Sequence, residues 1–314
     1  MTTALERNYD TDFKPGDNYK ATLPDLQNTD GFKGAKVFLP MVGIHNFKMP
    51  LTFATANGNS QVIETSITGS VSLQAEKKGI NMSRIIRTFY DVTKDDSQIF
   101  ALSLANKVLD AYKRDLEEAD ARIVLTFAYP LLVESLRTGL SGWQYYDISL
   151  EVNELHGVRR NIIHLDYVYS STCPCSLELS EHARNERNRM ATPHSQRSVA
   201  RISVELDNDK PVLLFEDLIE ACRRAIPTET QVMVKREDEQ AFAELNGSNP
   251  IFVEDASRLL YEQIAELSQV QDFLIICSHQ ESLHSHDAIA VVHRGDRFNP
   301  YSMDPKTFQT LIKR

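Results

Sequence analysis

The sequence predicts an α+β fold in which antiparallel sheets carry helices on one face. Strand-like segments occur in pairs, two amphipathic helices stand between successive pairs, and strict strand–helix–strand alternation is absent. At 314 residues the chain exceeds the usual size of a single core, and 42% of its residues are hydrophobic. We therefore expect two halves of related architecture.

The first 35 residues predict a flexible arm, because they are rich in Asp, Asn, Lys and Pro and lack periodicity. A first unit is expected over residues 36–155. Its strands are assigned where apolar and polar residues alternate, and its helices where apolar residues recur every three or four positions. The predicted order is strands over 37–55 and 62–76, helices over 82–91 and 97–118, and strands over 121–133 and 143–155.

A second unit, over residues 156–314, loosely repeats this order. Strands are predicted over 161–171, 198–207 and 230–237, helices over 211–226 and 250–268, and a closing strand pair over 272–295. The segment 177–191 has a helical composition, and its charges are typical of a solvated helix face.

Charge and composition narrow the function classes. The 34 Lys and Arg against 44 Asp and Glu give a net charge of −10, so the surface as a whole repels nucleic acid and anionic membranes. No apolar run of membrane-spanning length and no signal peptide is evident. Four cysteines in so long a chain do not resemble a secreted disulfide framework. We expect a cytoplasmic protein that binds neither nucleic acid nor membrane.

Three short motifs carry the residue types that a borderline-soft divalent metal selects. They are Cys173-Pro174-Cys175, the segment that contains His194, and His284-Ser285-His286. On a strand, the two histidines of the last motif would share one face. Taken singly, a C-x-C pair is equally typical of cysteines that are simply buried in the hydrophobic core. Each His, taken singly, is also compatible with a hydrogen-bonded imidazole that binds no metal. Their combination favours a metal site.

Other chemistries lack their motifs. The sequence has no P-loop and no G-x-G-x-x-G, so a bound nucleotide is not held by either device. It also lacks a G-x-S-x-G elbow, an H-E-x-x-H helix and the C-x-x-C of dithiol oxidoreductases.

Together these motifs resemble type IB GTP cyclohydrolase I, a bacterial and archaeal folate-pathway family. The resemblance rests on five motifs in order: S-T-C-P-C-S from Ser171, H-S-Q-R-S from His194, K-R-E-D-E from Lys235, F-V-E-D from Phe252 and H-S-H-D from His284. Segments around 42–44 and 79–84 extend the match over nearly the whole chain beyond the arm.

The resemblance implies the tunnelling fold, in which two related units of an antiparallel sheet and two helices lie in one chain. Several chains, here expected as a homotetramer, close into a barrel with active sites at the subunit interfaces. The family's metal ligands correspond to Cys173, His194, Glu239 and His284, which would hold one Zn, Mn or Fe ion per subunit. GTP would be the substrate, opened at guanine C8 to give formate and a dihydropterin triphosphate.

The implied catalytic residues are Cys173, His194, Glu239 and His286. A divalent ion makes water a better nucleophile, and a catalytic metal keeps one position open. Glu239 is the ligand expected to loosen and to serve as an acid or base. On a shared strand face with His284, His286 would be the spare proton carrier.

Glu254 corresponds to the family's purine anchor, since a carboxylate accepts both N1–H and the exocyclic amine of guanine. On residues alone, a plain helix-start position is the favoured interpretation of Glu254, because the helix dipole favours acids there. Arg197, Lys235 and Arg236 are the candidate triphosphate ligands. Strand alternation would send Lys235 and Arg236 to opposite faces, so only one of them would point inward.

Two other functions compete with this interpretation. A related tunnelling-fold oxidoreductase reduces a deazapurine nitrile with a Cys nucleophile and a nicotinamide cofactor, and the several metal-ligand types argue against it. A non-catalytic purine-binding metal protein is the second. The combination of the Glu254 anchor with a four-ligand set favours catalysis.

Overall fold

Eight strands form one antiparallel sheet in which every strand pairs with its neighbours in chain order. The computed structural model describes residues 7–24, 33–55, 58–94 and 100–311. The strands are β1 Leu39–Ala54, β2 Ser60–Leu73, β3 Ala121–Glu134, β4 Ser141–Leu155, β5 Val158–Thr172, β6 Ser195–Leu206, β7 Val270–His279 and β8 Ala288–Arg294. The predicted α+β class with an antiparallel sheet is confirmed.

Six α-helices lie in the described part of the chain. They are α1 Met82–Thr93, α2 Ala101–Leu116, α3 Pro174–Arg187, α4 Phe215–Ala225, α5 Arg236–Ser248 and α6 Val253–Ala265. The order strand, strand, helices, strand, strand occurs over β1 to β4 and again over β5 to β8, where α3 is inserted between β5 and β6. Within the described residues, no helix is long and apolar enough to cross a membrane.

The main core lies between the sheet and the helices. Ile123, Leu125 and Phe127 alternate along β3 with residues of the opposite face and join this core. From the helix side, Leu109 and Tyr112 of α2 are fully buried in it. Gly69 on β2 permits the close approach of α2, because a Cβ there would lie 2.8 Å from the hydroxyl oxygen of Tyr112.

The other face of the sheet carries charged pairs and a groove of about 960 Å³. Arg122 on β3 binds Glu151 on β4 through two nitrogens at 2.9 and 2.6 Å, and Arg201 on β6 binds Asp166 on β5 twice at 2.7 Å. His164 lies between the two pairs, and its Nδ1 is 2.8 Å from Oγ of Ser203. Burial lowers the pKa of His164, and Arg201 and Arg122 lower it further against the opposing effect of Glu151.

The C-terminal segment covers part of this face of the sheet, which carries no α-helix among the described residues and is called the helix-free face below. Leu311 is buried against Val199, Leu274 and Ile276, and Thr310 accepts a hydrogen bond from Arg201 at 2.6 Å. Because these strand residues point away from the main core, the segment forms a small second apolar cluster on the outer side of β6 to β8.

Two secondary-structure predictions were wrong. Residues 230–237 were expected as a strand, but only Glu229 forms an isolated bridge, and the chain enters α5 at Arg236. The carboxylate of Asp238 accepts from the backbone N–H of Lys235 at 2.9 Å, which favours the helix start that the apolar run 232–234 concealed. The segment with His284 and His286 was expected on a strand, whereas residues 280–287 are a loop between β7 and β8.

Candidate active site

Three chain segments meet at one end of the sheet. Cys173 directly follows β5 and His194 directly precedes β6, and the backbone N–H of Cys173 donates to the carbonyl oxygen of His194 at 3.2 Å. β7 pairs antiparallel with β6, with His279 opposite Ser198, so the loop after β7 emerges at the same end. The Cys and His motifs, which are 21 residues apart in sequence, thus become neighbours.

α3 orients the two cysteines differently. Cys173 is the N-cap of α3 and is half-buried, and Pro174 occupies the first helical position, where its missing N–H is not needed. Cys175, one position further, is exposed. Ser176 links the helix start to the His segment, because its Oγ accepts from the backbone N–H of His194 at 3.1 Å. Of the two thiols, that of Cys173 is the less exposed, and Cys173 is the one whose backbone contacts His194.

The imidazole of His194 faces two acceptor oxygens. Its Nδ1 is 3.0 Å from Oε1 of Gln196 and 3.6 Å from Oε2 of Glu281. The His194 and Glu281 side chains are only 17% and 13% exposed, and Oε2 of Glu281 is buried without a hydrogen-bond partner. Sequence reasoning missed Glu281. Its position three residues before His284, in a segment already rich in ligand types, was the available signal.

The donors gathered here fit a divalent cation. Cys173 offers sulfur and His194 offers nitrogen, which are ligand types suited to a borderline divalent ion such as Zn. Oε2 of Glu281 is buried without a hydrogen-bond partner beside Nδ1 of His194, so a hydrogen on that nitrogen would face it and would leave Nε2 of His194 for a cation. Among the described residues of this one chain, no three His, Cys, Asp or Glu side chains lie close enough together to hold a metal ion.

His284 and His286 lie in the loop after β7, and both are exposed. Their rings stack with centroids 4.9 Å apart and planes 12° from parallel. The two rings are therefore close together, as expected, but a loop conformation brings them together and not a shared strand face. Because the loop begins next to Glu281, His284 belongs to the same end of the sheet as His194.

Glu239, Lys235 and Arg236 stand at the start of α5, where all three are exposed. The far half of this helix touches β5, since Thr172 donates to Oδ1 of Asn246 at 3.4 Å. Asn246 is seven residues beyond Glu239, which corresponds to about 10 Å along a helix. Within one chain, Glu239 is thus displaced from Cys173. The prediction that Lys235 and Arg236 point to opposite faces of a strand was wrong, because they are consecutive residues at a helix start.

Glu254 is the second residue of α6 and is exposed. The segment before it is tied to the cysteine motif, because the backbone N–H of Ile251 donates to the carbonyl of Thr172 at 2.9 Å. A cleft of about 440 Å³, lined in part by Asn249 and Arg258, lies beside this helix start. Glu254 thus does lie at a helix start, and this position is near the end of the sheet that carries Cys173.

Two further groups complete the surroundings. Arg197 is exposed and alternates along β6 with the buried Gln196, so it belongs to the helix-free face. His279, at the end of β7, lies with Nε2 3.0 Å from the hydroxyl of Tyr169. Burial lowers the pKa of His279 to about 4, so its ring is neutral at pH 7.

Comparison with known proteins agrees with the motifs. Residues 23–290 match the family model described as type I GTP cyclohydrolase folE2. The GTP cyclohydrolase FolE2 of Roseobacter denitrificans is 61% identical over 311 residues, which cover 98% of this chain and 84% of the relative. That of a Ruegeria species is 57% identical over 312 residues, with 99% and 84% covered. The chain belongs to the GTP cyclohydrolase FolE2 family.

A likeness to solved structures concerns the fold alone. The crystal structure of a uricase from Arthrobacter globiformis superposes with a TM-score of 0.50 at 7% identity, covering 84% of this chain and 96% of the uricase. The expected family is confirmed in its FolE2 form. The ligand set, the purine anchor and the closure of several FolE2 chains into a barrel stay predictions.

Proposed function

We propose that this FolE2 chain is a GTP cyclohydrolase I, which hydrolyses GTP at guanine C8 to formate and 7,8-dihydroneopterin triphosphate, the first step of tetrahydrofolate biosynthesis. The observation that carries the proposal is the 56–61% identity, over nearly the whole chain, to relatives that all bear the name GTP cyclohydrolase FolE2. The meeting of Cys173, His194 and Glu281 at one end of the sheet supports it.

The reaction sets clear demands on a site. Water must add to C8, the imidazole ring must open, C8 must leave as formate, and the ribose must rearrange and close the new ring. Protons move at several of these steps, so groups that take up and release protons must lie near the purine. Overall, one water is consumed for each GTP and one formate is released.

We assign the metal to Cys173, His194 and His284, with Glu281, which the sequence had not suggested, as an acceptor beside Nδ1 of His194. The bound divalent ion would lower the pKa of water from 15.7 toward about 7 and thereby supply the nucleophile. Glu281 supports the assignment with a buried, unpartnered carboxylate oxygen beside His194. The stacked His284 and His286 in the adjoining loop provide imidazoles for proton transfer.

Glu254 is proposed to hold the guanine. Its carboxylate is exposed and belongs to a helix start that is tethered by Ile251 next to Cys173. A carboxylate that accepts N1–H and the exocyclic amine fixes the purine in one orientation at charge-assisted strength. This orientation is what presents C8 to the nucleophile.

Lys235, Arg236 and Arg197 are proposed for the triphosphate. Lys235 and Arg236 are exposed at the start of α5, where backbone N–H groups also favour anions. Arg197 lies on the helix-free face, so it would act only if phosphates reach that face. The net negative charge of the chain does not oppose the proposal, because a local cluster of basic side chains is sufficient to bind the triphosphate.

An interface site explains why Glu239 stands apart from Cys173 within one chain. We propose a homotetramer in which Glu239 of one copy approaches the cluster of another. The exposed positions of Glu239 and Glu254 and the two open sheet edges, β1 and β8, support an assembly of this kind.

The test is a turnover assay in which the same protein is loaded with each of three metals. Metal-free protein is loaded separately with Zn²⁺, Mn²⁺ and Fe²⁺, incubated with GTP, and assayed for formate and for a fluorescent pterin after oxidation. We expect both products with at least one metal and neither in the metal-free sample. Absence of both products with all three metals, while GTP still binds, would refute the proposal.

A further inference from the structure

A chain of buried hydrogen bonds leads away from His194. Oε1 of Gln196 lies 3.0 Å from Nδ1 of His194, and Nε2 of the same amide donates to Oγ of Ser171 at 2.7 Å. Oγ of Ser171 is in turn 2.7 Å from Oγ of Ser198. Gln196 is 8% exposed, and both serines are fully buried. The amide is therefore fixed by protein groups on both sides.

The orientation of the amide follows from what surrounds Nδ1. Oε2 of Glu281 stands 3.6 Å from the same nitrogen and has no other partner. If Nδ1 carried a lone pair, this buried carboxylate oxygen would face it without a donor, which is unfavourable. With a hydrogen on Nδ1, both Oε1 of Gln196 and Oε2 of Glu281 face a donor, and the amide nitrogen remains free for Ser171.

We infer that Gln196 is a positioning residue that holds His194 in the Nδ1–H tautomer and thereby presents Nε2, with its lone pair, to the divalent ion. The tautomer of a histidine is set by the hydrogen bond of its other nitrogen, and ligand histidines generally need such a partner. Gln196 is the second residue of β6 and follows His194 by two residues, and its amide oxygen lies 3.0 Å from Nδ1 of His194. Ser171 contacts the amide nitrogen and Ser198 contacts Ser171, so the side chain of Gln196 is held in place beside the ring.

The inference rests on the proposed function only in that His194 binds a metal. Its test therefore uses readouts that need no GTP. Gln196→Met keeps the size of the side chain but removes the acceptor oxygen. Gln196→Glu keeps an oxygen in that place, and Ser171 can donate to it by rotating its hydroxyl. Gln271→Met, at an exposed Gln near the start of β7, is the matched control.

Two measurements are made on each variant. The tautomer of His194 is assigned in metal-free protein by long-range ¹H–¹⁵N correlation with ¹⁵N-labelled histidine, using His194→Gln to identify the signal. Zinc affinity is measured by competition with a fluorescent chelator. We expect the Nδ1–H form in the parent, in Gln196→Glu and in Gln271→Met. In Gln196→Met we expect loss of that form and zinc affinity lowered by roughly 10–100-fold.

Comparison of Gln196→Glu with Gln196→Met shows whether Gln196 positions the His194 ring or only supports the fold. If Gln196→Met keeps both the Nδ1–H tautomer and the parent zinc affinity, the inference is overturned. It is overturned equally if Gln196→Glu loses affinity as severely as Gln196→Met. If these readouts behave as expected but the parent releases no formate from GTP, the proposed function fails and the role of Gln196 at the metal stands.

Discussion

Thr138 and Asp238 connect the turn between β3 and β4 to the start of α5. The hydroxyl of Thr138 donates to Oδ2 of Asp238 at 2.5 Å, and its backbone N–H donates to Oδ1 at 2.9 Å. The backbone N–H groups of Arg137 and Lys235 complete the set. Burial would raise the pKa of Asp238, but these hydrogen bonds hold it below its usual range. The carboxylate therefore locks Lys235, Arg236 and Glu239 to the rest of the fold.

Removal of the Thr138 hydroxyl is expected to destabilise the protein and weaken GTP binding. Thr138→Val keeps the shape but removes a hydrogen bond to a buried carboxylate, so the free energy of unfolding should fall by roughly 1.5–3 kcal/mol. Denaturant unfolding measures this change. Thr126→Val is the control, because its exposed hydroxyl meets only that of Ser149. Equal stability of the two variants would show that the carboxylate does not hold α5.

The purine anchor is tested at Glu254. Glu254→Gln replaces one acceptor oxygen by a donor that faces a donor of guanine, at a cost of roughly 1–3 kcal/mol. GTP affinity by calorimetry should fall at least about tenfold, while metal content stays normal. Glu266→Gln, at the other end of α6, should bind GTP as the parent does. Unchanged affinity in Glu254→Gln would leave Glu254 as a helix-start residue only.

The two cysteines form their own matched pair. Cys173→Ala should lose bound metal and turnover but keep part of its GTP affinity, because the guanine and phosphate contacts do not depend on the ion. Cys175→Ala should keep its metal, since Cys175 points to solvent from the first turn of α3. Elemental analysis after dialysis checks both variants. Normal metal content in Cys173→Ala would remove the thiolate from the ligand set.

Acid should destabilise the protein through His164. Burial lowers its pKa in the folded state, so below about pH 6.5 the unfolded chain binds a proton that the folded chain does not. The free energy of unfolding should then fall with decreasing pH, by at most about 1.4 kcal/mol per pH unit for this one group. Unfolding of the parent and of His164→Gln is compared at pH 7.5 and 5.5. Both pH values lie above about pH 4.5. Below that pH, protonation of Glu151 would also lower the free energy of unfolding, because the pKa of Glu151 is lowered in the folded state.

His164→Gln should lose less stability across this window than the parent. The residue sits among Arg122, Glu151, Asp166 and Arg201, all of which remain in the variant. An equal loss in both proteins would assign the pH dependence to other groups.

The sequence predicted most of the fold because the pattern and the burial agree. β3 and β4 alternate cleanly, and the periodicity of α2 marks the face that it buries. α5 was missed because the apolar run before it imitates a strand, while the evidence for the helix, the carboxylate of Asp238, acts through Thr138 about 100 residues away. That distant partner leaves no local signal, and the local contact of Asp238 with the backbone of Lys235 was outweighed by the apolar run.

The candidate site was predictable as a set of ligand types but not as a geometry. Cys173 and His194 were identified from their motifs, and the structure brings them together through β5 and β6. Glu281 was missed because a single carboxylate in a loop is common, and only its burial beside His194 sets it apart. The displacement of Glu239 was equally invisible, since it depends on which end of α5 meets β5.

The fate of guanine C8 tests the central claim most directly. Metal-loaded protein is incubated with GTP labelled with ¹³C at C8, and the reaction is followed by ¹³C NMR together with pterin fluorescence after oxidation. We predict that the label appears as free formate, one for each dihydropterin triphosphate formed. Label that stays in GTP, or in a ring-opened purine with no formate and no pterin, would contradict the assignment of this chain as a GTP cyclohydrolase I.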